Sequence, residues 1–188
     1  MKISELQKSN SSLYSTDKFT GHAYGEFYDK LFEGKECDRL NLLEIGINEG
    51  GSVRLWHDYL IESEIHGVDI DNVACRKNRL SYPRLWSKEI DAYSENFIVW
   101  LKMISVEINK FFDIIIDDGS HQLYDQIYAL KNFPSYLKSG GILVIEDIPS
   151  GAETEIIKHA PSGGTVEVIN LRHVTGRWDD CLITFKKD

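Results

Sequence analysis

Apolar residues in this chain form short continuous runs and helical stripes, a pattern that predicts alternating strands and helices. The short runs have the length and composition of strands; they are residues 42–46, 65–70, 84–87, 112–116, 140–145, 166–169 and 181–185. Apolar residues at three- and four-residue spacing predict helices between them; these are residues 22–32, 53–60, 72–79, 97–104, 123–137 and 153–159. The order predicts a single α/β domain with a Rossmann-like, doubly wound, mostly parallel sheet. Because no clear helix separates the last two strands, we expect an antiparallel edge strand at the end.

Acidic residues follow two of the predicted central strands at the point where each strand ends. Asp117 and Asp118 come directly after the run at residues 112–116, with His121 close behind, and Glu146 and Asp147 close the run at residues 140–145. In an open α/β sheet, ligands bind beyond the carboxyl ends of the strands, so these side chains would face the ligand crevice. The alternative is that the acids begin turns or cap helices. Two acid pairs with a histidine beside one of them favour a functional site.

A glycine-rich loop at residues 47–52 links the first strand to a helix, and Asp69 ends the next strand. Such a loop lets a ligand approach the backbone closely, and an acid about 20 residues further on can accept the hydroxyls of a ribose. A tight turn without a ligand remains the alternative for the loop alone. Asp91 and Glu89 could border the same crevice, although solvated loop acids have the same sequence pattern.

The first 20 residues are polar and poorly periodic, which predicts an N-terminal arm or lid (residues 1–20) in front of the ligand-binding domain (residues 21–188). Gly34 is expected to stop the helix at residues 22–32. On sequence physics alone, Lys18, Thr20, His22 and Tyr24 belong to an ordinary N-terminal turn with a helix cap.

Composition and charge restrict the classes of function. The 188 residues are 42% hydrophobic and 27% charged, as in ordinary globular domains. A formal net charge of −9 disfavours general nucleic-acid binding, which needs clustered lysine and arginine. Neither a signal peptide nor a membrane-spanning run is evident, so we expect a cytoplasmic protein. The widely spaced Cys37, Cys75 and Cys181 indicate neither a zinc site nor a disulfide framework.

The motif Glu44-x-Gly46-x-x-x-Gly50, followed by Asp69, resembles the class I S-adenosylmethionine-dependent methyltransferases. The resemblance implies that the strand-end acid and the glycines hold the methionine half of the cofactor and that Asp69 binds its ribose. The glycine spacing departs from G-x-G-x-x-G, which counts against a nicotinamide cofactor. The methyltransferase fold also ends in a reversed strand.

A narrower resemblance covers nearly the whole chain. Four motifs together resemble the metal-dependent sugar O-methyltransferases of macrolide biosynthesis, whose relatives are often labelled cephalosporin hydroxylase-like; the motifs are Asp17-Lys18-x-Thr20-x-His22-x-Tyr24, Asp117-Asp118-Gly119-Ser120-His121, Glu146-Asp147 and Arg177-x-Asp179-Asp180. The resemblance implies Mg²⁺ ligands at Asp118, Glu146 and Asp147 and a general base at His121. The sequence departs from many relatives at Phe19, where they have glycine.

The expected activity is therefore Mg²⁺-dependent O-methylation, with S-adenosylmethionine as methyl donor, of a hydroxyl on a sugar or related small metabolite. The residues expected at the cofactor are Lys18, Thr20, Glu44, Gly46, Asn48, Gly50, Ser52, Asp69, Asp91 and Asp117. A hydroxylated acceptor such as a sugar or glycoside and a homo-oligomer are the expected partners, without nucleic acid or membrane. Two alternatives remain: a nicotinamide-dependent oxidoreductase, and a non-catalytic regulator that binds S-adenosylmethionine.

Overall fold

The structure is a computed structural model that describes residues 1–71, 82–107 and 111–188. The strands are β1 (Asn41–Ile45), β2 (Glu64–Asp69), β3 (Leu85–Glu89), β4 (Phe112–Asp117), β5 (Leu137–Ile145), β6 (Gly164–Asn170) and β7 (Cys181–Lys187). The helices are α1 (Ile3–Ser9), α2 (Gly25–Phe32), α3 (Gly51–Tyr59), α4 (Glu95–Glu107), α5 (Leu123–Asn132), α6 (Glu153–Ile157) and α7 (Arg172–Thr175), with a 3-10 turn at Phe133–Tyr136. The helix predicted at residues 72–79 lies outside the described residues.

All of these strands belong to one sheet with the order β3-β2-β1-β4-β5-β7-β6. The first five strands pair in parallel, and β7 runs antiparallel to both of its neighbours. The prediction of a doubly wound, mostly parallel sheet with a reversed last strand is confirmed. The strand order changes direction between β1 and β4, and ligands bind at such a switch point in open α/β sheets.

The reversed strand is not at the edge of the sheet, so that part of the prediction is wrong. β7 inserts between β5 and β6, which leaves β6 as the edge. The first five residues of β7 are buried, whereas every residue of β6 is half-buried or exposed. Their sequences fit these positions, because an interior strand is apolar on both faces and an edge strand alternates.

The hydrophobic core has two parts, one on each face of the sheet. Leu42, Ile114 and Ile116 pack with residues of α2 and α3 on one face. Leu43 and Ile115 pack with residues of α4 and α5 on the other face. Successive side chains of a strand point to opposite faces, so burying both faces requires the continuous apolar runs seen in β1 and β4. Rigid, doubly covered strands then end at the candidate site.

Residues 1–20 pack on the domain and contain a helix that the sequence pattern did not predict. α1 contacts α2 and α3. Ile3 is fully buried in the core, and Phe19 packs against the rings of Tyr28 and Trp56. Part of the segment is therefore core, and the division of the chain into an arm or lid and a domain stays a prediction.

Proline and glycine set the ends of two helices. α5 ends at Asn132, and Pro134 lies in the 3-10 turn that follows, as its missing N–H predicts. Leu137, expected in the helix, instead begins β5. Gly34 follows the end of α2 at a φ of 73°, so its expected role as a stop is confirmed.

Among the described residues, no helix has the length and apolarity needed to cross a bilayer.

Candidate active site

The acids that follow β4 and β5 lie side by side, because these strands are parallel neighbours. Asp117 pairs in register with Ile145, so Asp118 and Glu146 each follow directly from paired positions. The amide of Glu146 donates to the carbonyl of Asp117 at 2.9 Å, which extends the pairing to the first acid after β5. Parallel pairing of neighbouring strands thus brings together residues that are distant in the sequence.

Asp118, His121 and Asp147 form the cluster that could hold a cation among the described residues. One ligand atom from each lies within 4.8 Å of the others. His121 Nε2 is 3.9 Å from Asp118 Oδ1, and its Nδ1 is 3.7 Å from Asp147 Oδ2. His121 and Asp147 both have a φ of 56°, a conformation that non-glycine residues rarely adopt and that often marks functional sites. Backbone conformation therefore helps to aim both side chains at Asp118.

Glu146, the third expected metal ligand, is engaged elsewhere. It is buried, and it accepts hydrogen bonds from the Tyr28 hydroxyl and, at 2.8 Å, from Lys18 Nζ. Lys18 is itself fully buried and also donates to Asp118, with Glu44 3.4 Å away. Lys18 was expected at the cofactor, but its ammonium lies among three carboxylates that follow or belong to β1, β4 and β5. Its place at the cofactor and the metal role of Glu146 stay predictions.

Glu44, Asp118 and Glu146 share the ammonium of Lys18; Glu44 and Glu146 are buried, and the side chain of Asp118 is 20% exposed. Burial would lower the pKa of Lys18, but the charges of Asp118, Glu146 and Glu44 outweigh it and raise that pKa well above its ordinary value. Burial raises the pKa of Asp118 and of Glu146 despite Lys18. Burial also raises the pKa of Glu44 to about 7, although the charge of Lys18 acts in the opposite direction. A cation entering this cluster would relieve the repulsion among the carboxylates.

The N-terminal motif and the loop before β7 hold Asp147 in place. The Tyr24 hydroxyl donates to Asp147 Oδ1 at 2.6 Å. His22 Nδ1 is 3.3 Å from the same oxygen and 2.8 Å from Asp180 Oδ1. Asp180 is fully buried and also accepts a hydrogen bond from the Thr175 hydroxyl. His22 and Tyr24, which sequence physics alone assigned to an ordinary turn, are therefore supports of the acid cluster.

Asp69 joins the glycine loop to the end of β2. Its Oδ2 accepts the amide hydrogen of Asn48 at 2.7 Å, and its Oδ1 accepts that of Asp71 at 2.9 Å. Gly46 has a φ of 79°, and a Cβ at this position would overlap the carbonyl oxygen of Asp118. A Cβ at Gly51 would likewise overlap the carbonyl oxygen of Ser15. The chain's own packing thus requires glycine at both positions.

Two adjoining cavities open at the strand ends. The first, which we call the β2-side cavity, has a volume of about 490 Å³; residues expected at the site that line it are Gly46, Asn48, Asp69, Asp91, Asp118, His121 and Asp147. The second, the glycine-loop cavity, has a volume of about 390 Å³; expected residues that line it are Thr20, Gly46, Asn48, Ser52 and Asp118. A third cavity, of about 950 Å³, lies between α1 and α2, away from these acids.

Four residues expected at the cofactor do not line either strand-end cavity. They are Lys18, Glu44, Gly50 and Asp117. Asp117 is buried, and its Oδ1 accepts a hydrogen bond from the Tyr93 hydroxyl at 2.7 Å. A Cβ at Gly119 would overlap that hydroxyl, so Tyr93 packs tightly under the loop that carries the site. Tyr93, which lines the β2-side cavity, was missed by sequence reasoning because a lone tyrosine after Asp91 carries no distinctive signal.

No family model matches the chain. The chain is similar to the mycinamicin VI 2''-O-methyltransferase of Micromonospora griseorubida, with 32% identity over 155 residues, 78% of this chain and 36% of that protein. It is 29% identical over 142 residues to the 8-demethyl-8-alpha-L-rhamnosyl tetracenomycin-C 2'-O-methyltransferase of Streptomyces olivaceus, over 72% of this chain and 35% of that protein. Among solved structures, it resembles the MycE methyltransferase of the mycinamycin biosynthetic pathway in complex with Mg, SAH and mycinamycin VI. The TM-score is 0.65 at 29% identity, and the match covers 78% of this chain and 39% of the other.

The fold and these similarities show that the chain belongs to the class I methyltransferases. Its homologues among them are sugar O-methyltransferases, which confirms the narrower resemblance. The chain spans little more than a third of the length of the curated relatives that it matches.

Proposed function

We propose that this chain carries out S-adenosylmethionine-dependent, Mg²⁺-dependent O-methyl transfer to a hydroxyl of a sugar or related small metabolite. The observation that carries the proposal is the convergence of Asp118, His121 and Asp147 at a cavity that also reaches Asp69 and the glycine loop. The carboxyl ends of neighbouring strands thus carry a candidate cation site, a candidate base and a candidate cofactor cleft. The solved MycE relative, with Mg and SAH bound, supports the same combination.

The donor set fits a magnesium ion in its chemistry. Mg²⁺ prefers oxygen ligands and keeps coordination positions for water or substrate oxygens. Asp118 and Asp147 offer carboxylate oxygens at the cavity, while Glu146 is buried and already accepts from Lys18 and Tyr28, so an ion would have to reach its remaining lone pairs or replace a donor. When bound, the ion would lower the pKa of an acceptor hydroxyl and help to orient it. Tyr24 and His22 would keep Asp147 in position whether or not the ion is present.

The two cavities fit the two halves of S-adenosylmethionine. Asp69 lines the β2-side cavity and retains lone pairs that can accept ribose hydroxyls, although each oxygen already accepts one backbone amide. The glycine-loop cavity lies beside the start of α3, where backbone amides favour a carboxylate such as that of the methionine half. The cofactor supplies the methyl group when it is bound.

His121 is the proposed general base. Its side chain is 40% exposed and lines the β2-side cavity, so an acceptor hydroxyl can reach a ring nitrogen. Asp118 and Asp147 lie on either side of the ring, at 3.9 Å from Nε2 and 3.7 Å from Nδ1, so they hold the imidazole at the cavity where it can take the proton.

The acceptor is proposed from the relatives, whose names describe O-methylation of mycinamicin VI and of a rhamnosyl tetracenomycin. A hydroxylated sugar or glycoside is the partner that we propose, and a homo-oligomer stays a prediction. A net charge of −9 supports the absence of general nucleic-acid binding. The glycine spacing of the loop counts against a nicotinamide-dependent oxidoreductase.

A methyl-transfer assay with a panel of sugars and glycosides tests the proposal. Turnover should stop in EDTA and return with added Mg²⁺, and SAH should still bind in EDTA. His121→Ala should reduce the rate about 10²- to 10⁴-fold, the usual range for a general base. Asp118→Ala should abolish metal-dependent turnover, and Lys158→Ala, on the exposed surface of the domain, should leave it unchanged. Full activity in EDTA would contradict the metal role, and SAH binding without any turnover would favour a regulator.

A further inference from the structure

The glycine-loop cavity has a second wall that comes from the N-terminal segment. Gln7, Ser11, Thr16 and Thr20 face Gly46 and Ser52 across it. The segment is closely docked, because the carbonyl oxygen of Ser15 occupies the space that a Cβ at Gly51 would need. The cavity is therefore formed jointly by residues 7–20 and by the loop that begins α3.

In that wall, Gln7 is a buried polar side chain whose acceptor atom, Oε1, is unpaired among the described residues. It is only 1% exposed, and its Nε2 donates to the Tyr14 carbonyl oxygen at 3.3 Å. That bond sets the orientation of the amide, because a carbonyl oxygen can accept only from the nitrogen. Gln7 Oε1 has no hydrogen-bond partner among the described residues. Native proteins rarely leave such an atom unpaired, so a water molecule or a ligand donor is expected there.

The charges around the cavity indicate which donor suits this oxygen. Asp17 and Asp118 both line the glycine-loop cavity, and the buried Glu44 of β1 is hydrogen-bonded to Ser52, which also lines it. Carboxylates around an amide oxygen favour a cationic donor over a neutral one. The amino-acid end of S-adenosylmethionine carries an ammonium group, and the adenosine half has no such cation.

We propose that Gln7 Oε1 accepts a hydrogen bond from the α-ammonium of the cofactor's methionine half, which makes Gln7 a cofactor-binding residue. The inference rests on the proposed function and deepens it, because it assigns the N-terminal segment to recognition of the amino-acid end. It also gives the buried carbonyl oxygen a partner. Gln7 Nε2 donates to the Tyr14 carbonyl oxygen, so cofactor binding at Oε1 is linked to the position of Tyr14. The Tyr14 hydroxyl in turn donates to Asp58 of α3 at 2.9 Å.

The test compares two ligands by calorimetry without metal or acceptor. S-adenosylhomocysteine has the amino-acid end, and 5′-methylthioadenosine shares the adenosine half but lacks it. Gln7→Met removes the acceptor at nearly constant volume and should weaken S-adenosylhomocysteine binding about 10- to 100-fold, as expected for a hydrogen bond to a charged group. Affinity for 5′-methylthioadenosine should stay within about twofold. The ratio of the two affinities is the readout, because a general loss of folded protein affects both ligands equally.

Two further variants sharpen the comparison. Gln7→Glu keeps an oxygen acceptor and adds a negative charge, so the preference for S-adenosylhomocysteine should be at least as large as in wild type, even where loss of the bond to Tyr14 destabilises the fold. Ser9→Ala, on the exposed side of the same helix, should change neither affinity. An unchanged ratio in Gln7→Met would overturn the inference and indicate that a water molecule satisfies the oxygen. A wild-type protein that binds neither ligand would instead overturn the proposed function and this inference with it.

Discussion

Lys18 Nζ donates to Glu146 Oε2 at 2.8 Å across 128 residues of sequence, and both side chains are buried. The same ammonium also donates to Asp118, so it ties the N-terminal segment to the ends of β4 and β5. A buried charge loses its hydration, and it is tolerated only because opposite charges and hydrogen bonds surround it. Lys18 is therefore expected to stabilise the fold as well as the geometry of the site.

Lys18→Met should strongly destabilise the metal-free protein, because it leaves the buried Glu44 and Glu146 and the partly exposed Asp118 without a cation. Removing one partner of a buried ion pair typically costs about 3–5 kcal/mol. The matched control is Lys138→Met, since Lys138 pairs with Asp113 at 2.6 Å in a partly exposed position. That change should cost at most about 1 kcal/mol. Urea unfolding without metal measures both, and similar small losses would show that Lys18 contributes no more than a surface pair.

Gly46→Ala should be far more destabilising than Gly34→Ala. Both glycines have positive φ values, 79° and 73°, so both substitutions carry the conformational penalty of about 1–2 kcal/mol. Only at Gly46 would the new Cβ overlap another atom, the carbonyl oxygen of Asp118; at Gly34 the space is open. Each variant's loss of unfolding free energy is measured against wild type, and the difference between the two losses gives the cost of the overlap at Gly46. Equal values would mean that the end of β4 can shift freely, which contradicts a rigid site.

Asp117→Asn should stabilise the protein at pH 8 and have little effect at pH 4. Burial raises the pKa of Asp117 to about 7, although the hydrogen bond from Tyr93 opposes the rise. The unfolded state loses this proton near pH 4, so the folded state holds more protons between about pH 4 and 7 and stability falls as the pH rises through that window. The neutral amide removes the penalty, on the order of 2–4 kcal/mol, while its oxygen still accepts from Tyr93.

Urea titrations at several pH values measure this effect for wild type and variant. The two stability curves should converge near pH 4 and separate as the pH approaches 8. A constant difference across the range would show that Asp117 titrates normally and that the effect of the variant lies elsewhere.

Asp69→Ala should weaken S-adenosylhomocysteine binding by about 1.5–3 kcal/mol through loss of hydrogen bonds from the ribose to a charged group. It also releases the amide of Asn48, so the glycine loop should become less ordered. Glu62→Ala is the control, because Glu62 forms a largely exposed ion pair with Arg39, and it should bind normally. Calorimetry gives the affinities, and equal binding by Asp69→Ala and wild type would rule out the ribose role.

The sequence by itself determined the alternation of strands and helices and the position of the acids where two central strands end. Continuous apolar runs in β1 and β4 can be buried only between two helical layers, and the acids after β4 and β5 mark where those runs end. Local patterns are enough for such features, because hydrophobic periodicity and strand endings depend on neighbouring residues. The motifs Glu44-x-Gly46-x-x-x-Gly50 and Glu146-Asp147 then indicated the family through resemblance.

Only the tertiary structure decided which side chains meet. The insertion of β7 between β5 and β6, the burial of Lys18 among carboxylates and the docking of Gln7 beside the glycine loop each join segments far apart in the chain. A polar residue such as Lys18 or Gln7 looks solvent-exposed in a sequence, because its partners appear only when the strands have paired and the N-terminal segment has packed. Local periodicity carries no record of those distant contacts, which is why residues 1–20 were expected to form an arm or lid.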